Sequence, residues 1–280
     1  MVLESLFNPF TVKKKPWEMF LAGFIYSIIG LALSYFVFKE MSGMLTVFLI
    51  VLATLPMLYT TIKNEEELDL KYDTEWKILK EHSKVIIFLL FLFLGITVAL
   101  TLAYIILPSE VVNTIFTVQK QAIINVNNHV QGDITQLSLF TKIFFNNLKV
   151  FFFCIIFSFL YGTGAIFILT WNASVVATAI GNFFKLEIAK SASLVGFSSI
   201  SSYFTIASLG FLRYMTHGIL EILSYFIAGL AGGIISIALI KRDFNNNKVI
   251  SDALNLIFLS IAILIVAGIV EVYITPLLFM

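Results

Sequence analysis

The stretch Arg213–Gly233, RYMTHGILEILSYFIAGLAGG, decides how the chain is read, because it sets three ionisable side chains inside a membrane-spanning run. On an α-helix Arg213, His217 and Glu221 fall at i, i+4 and i+8, and Ser224, Ala228 and Gly232 continue the same face. At 1.5 Å per residue Glu221 lies roughly 12 Å along the helix from Arg213, well into the hydrocarbon if Arg213 stands near the interface. A charge at that depth costs several kcal/mol, so the stripe is expected to face protein or a water-filled cavity, and to find partners there.

The surroundings of the stretch fix the class. Of 280 residues, 59% are hydrophobic and 12% charged, and the mean hydropathy is +0.97, values outside the range of soluble domains. The expectation is an all-α, polytopic helical integral membrane protein with about six or seven transmembrane helices and short surface or re-entrant helices. A net charge of +1 gives no electrostatic footprint for nucleic acid. Cys154, the single cysteine, sits in an apolar run, so no intrachain disulfide can form.

Upstream, Lys13, Lys14 and Lys15 precede an apolar run from Trp17 to Phe38, too long for a signal-peptide core, which therefore reads as an uncleaved first span. A turn at Lys39–Gly43 leads to a second span, Met44–Ile62, kinked by Pro56. Asn64–Lys84 is the one strongly charged segment, with Leu68, Tyr72, Trp76 and Leu79 at helical spacing; a membrane-surface helix and a solvated helix both fit it. Val85–Ile106 is a third span. Pro108 and Ser109 open a polar helix with Val111, Ile115, Val118 and Ala122 on one face. A fourth span is placed at Val150–Leu169, with Asn146, Asn147 and Lys149 at its mouth, and a short fifth within Trp171–Ile188. Ser191–Leu212 reads equally as surface helix, re-entrant hairpin or further crossing. The opening helix runs from Tyr214 to Ile240, and Ala253–Ile274 is the last span. Two units follow: residues 1–84, a transmembrane hairpin plus a charged cytoplasmic segment, and residues 85–280, a second transmembrane domain.

With the amino terminus inside and seven crossings, the inner segments carry eleven of the 18 Lys and Arg and the outer ones seven. That bias supports a multi-pass protein of the cell membrane with a cytoplasmic amino terminus. It also puts Arg213 at the outer end of its helix.

The order of a polar FFNN (Phe144–Asn147), a span ending in Trp171 and Asn172, and then HGxxE (His217, Gly218, Glu221) followed by the small residues Ala228–Gly233 resembles the stage II sporulation protein M family. The resemblance covers roughly Val85–Ile274 and leaves the two amino-terminal spans outside. Thr216 stands where proline often precedes the histidine in that family. The resemblance implies a polytopic, non-enzymatic membrane protein; in spore formers such proteins anchor the peptidoglycan-degrading D and P sporulation proteins during engulfment.

The residues themselves give no catalytic motif and no metal ligand set. His82, His129 and His217 do not form the one-turn pair that a zinc protease needs, and the predicted topology separates His82 from His129. Ser198, Ser199, Ser201 and Ser202 have no activating base in their neighbourhood of sequence. No enzyme activity and no cofactor are expected. The expected polar intramembrane cluster is Arg213, His217 and Glu221 with Asn146, Asn147 and Asn172, either an internally paired lock or a cavity that holds a cation, proton or polar head group. Ala228, Gly229, Gly232 and Gly233 are the expected helix-packing seam, within one chain by default or between two copies in a homodimer. Glu271 reads as a solvated acid at the outer interface. The partners expected are the lipid bilayer and membrane or envelope proteins, with a scaffold as first function and a small transporter or channel around Glu221 as the alternative.

Overall fold

The computed structural model describes residues 16–69, 75–128, 135–161, 165–195, 200–240 and 247–279. Among them there is no strand. The helices are α1 (Trp17–Val37), α2 (Ser42–Asp69), α3 (Glu75–Ile106), α4 (Ser109–Ile115), α5 (Thr117–Asn128), α6 (Gln136–Tyr161), α7 (Ala165–Val195), α8 (Ile200–Ile240) and α9 (Asn247–Ile269). α9 passes into a π-helical turn, Val270–Ile274, and a last α-turn, α10 (Thr275–Leu278). Seven of these helices are long and apolar enough to cross a membrane.

α8 is the axis of the bundle, since 72% of its apolar window is buried against 56% or less in the other six. It packs on α6, α7 and α9, while α3 packs on α1 and α7. Without a hydrophobic force between helices in lipid, close approach depends on small residues, and two contacts show it. At the α1–α3 crossing, a Cβ added to Gly95 would stand 2.1 Å from the Phe20 carbonyl oxygen, and one added to Gly23 would stand 2.5 Å from that of Leu92. At α8, a Cβ on Gly232 would meet the Ile155 carbonyl oxygen of α6 at 2.6 Å, and one on Gly229 the Ala165 Cβ of α7 at 2.8 Å. Ala228 is fully buried in the same seam. The small residues of α8 are thus engaged by neighbours of their own chain. Polar bonds supplement them: Ser34 and Thr46 join α1 to α2 at 2.6 Å, and Thr46 also donates to the Ser42 carbonyl.

Several boundaries differ from expectation. The predicted fourth span, Val150–Leu169, divides between two helices, because α6 ends at Tyr161 and α7 begins at Ala165. Trp171 and Asn172 therefore lie inside α7 and end no span. Ser191–Leu212 is no separate crossing: from Ile200 it is the first part of α8, which runs 41 residues. Of Asn64–Lys84, the first part continues α2 through Asp69 and the last part belongs to α3 from Glu75, while 70–74 lie outside the described residues. Tyr72, His82 and His129 lie outside what is described at side-chain level. The helix opened by Pro108 restarts after Phe116, so its buried face is Val112, Ile115, Phe116 and Gln119; of the predicted face Ile115 is buried, Val111 and Ala122 are half-buried, and Val118 is exposed.

Candidate intramembrane polar site

α8 carries His217 and Glu221 to a junction with α6 and the end of α9. From the middle of α6, the Asn147 side-chain amide donates to the Glu221 carboxylate. On the other side the Glu221 carboxyl meets that of Glu271, which sits on the π-helical turn. His217 Nδ1 is 3.2 Å from the Thr275 hydroxyl, and its Nε2 is 3.9 Å from Glu271 Oε1. Thr275 in turn donates to the Val270 carbonyl at 3.1 Å, across the π turn. One turn deeper, Ser224 donates to the Ser260 carbonyl of α9 at 2.8 Å. The junction is therefore held by five polar side chains from three helices, with Asn147 9% exposed and the His217 and Glu271 side chains 15% and 27%.

Two carboxyl groups in contact, away from solvent, repel if both are ionised. A single proton held between them leaves one charge, to which the Asn147 amide donates. A π turn is a recurrent feature of functional sites, because it rotates one residue out of the α-helical register. Here it aims Glu271 at the junction. Glu271 Oε2 is buried and has no hydrogen-bond partner.

Beside the pair lies a cavity of about 80 Å³, lined on its polar side by Asn146, Asn147, Asn172 and Glu221 and bounded by Gly218, Met215 and Tyr225. That volume holds a few water molecules, and the lining offers the two to four polar partners each would need. A Cβ placed on Gly218 would meet nothing within 4 Å, so this glycine leaves space open.

The six residues singled out from sequence do not form one contact set. Asn147 and Glu221 are bonded; Asn146 and Asn172 face the same cavity, and Asn172 donates to its own helix at the Ile168 carbonyl, 3.0 Å. His217 turns to α9. Arg213 is exposed and places its guanidinium over the Phe183 ring of α7, 5.9 Å from the centroid. Steps of four residues overshoot a 3.6-residue turn by about 40° each, so a stripe of three spans roughly 80° and reaches different neighbours at its two ends. Two members were missed. Glu271 is no solvated acid, and Thr275 is its companion; a lone acid near the end of a span gives no periodic signal of what it faces, and nothing in VEVYITP announces a π turn. Among the described residues no group of three or more His, Cys, Asp or Glu is set to hold a metal ion.

Comparison with known proteins adds one positive finding. The family model described as stage II sporulation protein M matches residues 84–276. No curated protein and no solved structure matches the chain. The matched region takes in α8 whole, the Asn147–Glu221 and His217–Thr275 contacts, Glu271 and the glycine seam, while α1 and α2 precede it. Since that match spans well over half the sequence, and seven apolar helices accompany it, the chain is a multi-pass membrane protein belonging to the stage II sporulation protein M family.

Proposed function

We propose that the protein is a non-catalytic scaffold of the cell membrane, oriented with its amino terminus in the cytoplasm and organising membrane or envelope partners. The observation that supports this is the closure of the polar junction on itself. Asn147, Glu221 and Glu271, and then His217 and Thr275, engage one another and tie α6 and α8 to the π turn and α10, with Glu271 Oε2 the one oxygen of these contacts left without a partner. A buried polar network met largely by side chains of its own chain favours one packing. The excess of Lys and Arg in the inner segments supports the orientation. Cysteine introduced at Asn246 is expected to react with a membrane-impermeant maleimide only after the membrane is opened; labelling of intact cells would reverse the topology.

The cavity beside Glu221 favours a second reading, passage of a proton or small cation. The two separate on Glu221→Gln, which still accepts from Asn147 and can donate to Glu271. A scaffold in liposomes carries no proton or cation flux, and the variant keeps wild-type stability and partner capture. Flux in the wild type that vanishes in a folded Glu221→Gln protein would reject the scaffold and establish transport.

A further inference from the structure

Remote from the carboxyl pair, three elements bring two lysines to one aromatic ring. Tyr104, at the end of α3, is 2% exposed and packs on Phe116 with ring centroids 5.1 Å apart. Gly181 of α7 lies against it so closely that a Cβ there would stand 2.6 Å from the ring. Lys120 Nζ, from α5, is 5.2 Å from the centroid of this ring, and Lys185 Nζ, from α7, is 5.4 Å from it. Like charges so placed oppose each other. Desolvation by burial, and after it the Lys185 charge, holds the Lys120 ammonium below the ordinary lysine range.

What balances them in the protein is neutral. Lys120 donates to Asn113 Oδ1 at 2.6 Å, and Lys185 to the Leu107 carbonyl at 3.2 Å, just past the end of α3. Among the described residues neither lysine forms an ion pair with a carboxylate, and the nearby Glu187 is held by Lys190 at 2.6 Å. An ammonium has three donors, so each lysine keeps two unspent. Both side chains are partly exposed, and the flanking Ile106 and Leu186 are 75% and 53% exposed. Ile106 ends the third span, and α5 is too polar to cross, so the pair stands where the hydrocarbon gives way to head groups.

We propose that Lys120 and Lys185 form a binding site for a phosphate group, supplied by an anionic phospholipid whose acyl chains lie along Ile106 and Leu186. A phosphate oxygen pair accepts from both ammoniums, screens their repulsion, and gains charge-assisted bonds in a place of reduced dielectric. The Tyr104 ring positions the two cations through its face. Cation–π contact and the Leu107 bond hold the lysines in place when the site is empty.

The test is the thermal midpoint of the purified protein in a neutral detergent, titrated with phosphatidylglycerol, phosphatidylcholine or inorganic phosphate. Phosphatidylglycerol is expected to raise the midpoint of the wild type. Lys120→Gln and Lys185→Gln should each weaken its apparent affinity about tenfold, the worth of one charge-assisted bond. Lys142→Gln should change nothing. A lysine-dependent response to inorganic phosphate without one to the lipid keeps the phosphate site and assigns it a soluble ligand. Should Lys185→Gln fail to fold, Lys120→Gln leaves the Leu107 bond intact and carries the test alone. A phosphatidylglycerol effect identical in the wild type and in Lys120→Gln overturns the proposal.

Discussion

Glu221→Leu destabilises the protein by on the order of 3 kcal/mol, and adding Asn147→Leu returns part of that loss. The single change removes the acceptor of the Asn147 amide and leaves that donor buried without a partner, at a cost of about 1–3 kcal/mol. It also takes from Glu271 the carboxyl it meets, when one oxygen of Glu271 is already unpaired. Replacing both members of the Asn147–Glu221 pair by apolar groups removes the orphaned amide, so the double variant should be more stable than the sum of the two single ones. Reversible unfolding in detergent, read as a double-mutant cycle, measures this. Strict additivity would mean that the bond contributes nothing to holding α6 on α8.

The second large effect sits at the crossing of α1 and α3. Gly95→Ala is expected to cost about 3 kcal/mol, at the upper end of what overpacking a well-filled interior does. The new methyl would stand 2.1 Å from the Phe20 carbonyl oxygen, with the Phe20 carbonyl carbon and Cα at 2.9 and 3.0 Å. These are backbone atoms, which cannot swing aside as a side chain can, so α1 must move off α3. Gly218→Ala is the matched control, because its methyl enters open space and helix propensity alone gives back about 0.5–1 kcal/mol. Gly95→Ala should release α1 to protease while Gly218→Ala keeps the wild-type pattern. Equal behaviour of the two would mean that the α1–α3 contact relaxes freely.

The contrast between these glycines shows what the sequence could disclose. Both lie within spans and give no sign as letters of the room around them; only the neighbour across the gap separates a tight crossing from an open cavity. The same holds for the site. Asn147 and Glu221 are legible because a polar residue at membrane depth must be paired, and few candidates exist. Glu271 is not, since near a span end solvent is always an available explanation. Spans with charged borders were placed well. The α6–α7 break and the start of α8 were missed because hydropathy sees only composition, and neither place carries a charge. Tyr104, with Lys120 and Lys185, was invisible for another reason: its members are far apart in sequence and belong to three elements whose packing no local pattern encodes.

The π turn at Val270–Ile274 also bears on how this chain can be lined up with its relatives. Such a turn accommodates one residue more than an α-helix would over the same path, so it behaves as a tolerated insertion. Deleting one residue there would restore a plain α-helix over the same path, so the residues beyond it, Thr275 among them, would keep the faces they present. Two family members that differ by one residue at this turn would therefore present the same face to the junction, and equivalence between them past Val270 would be recovered by a one-residue gap.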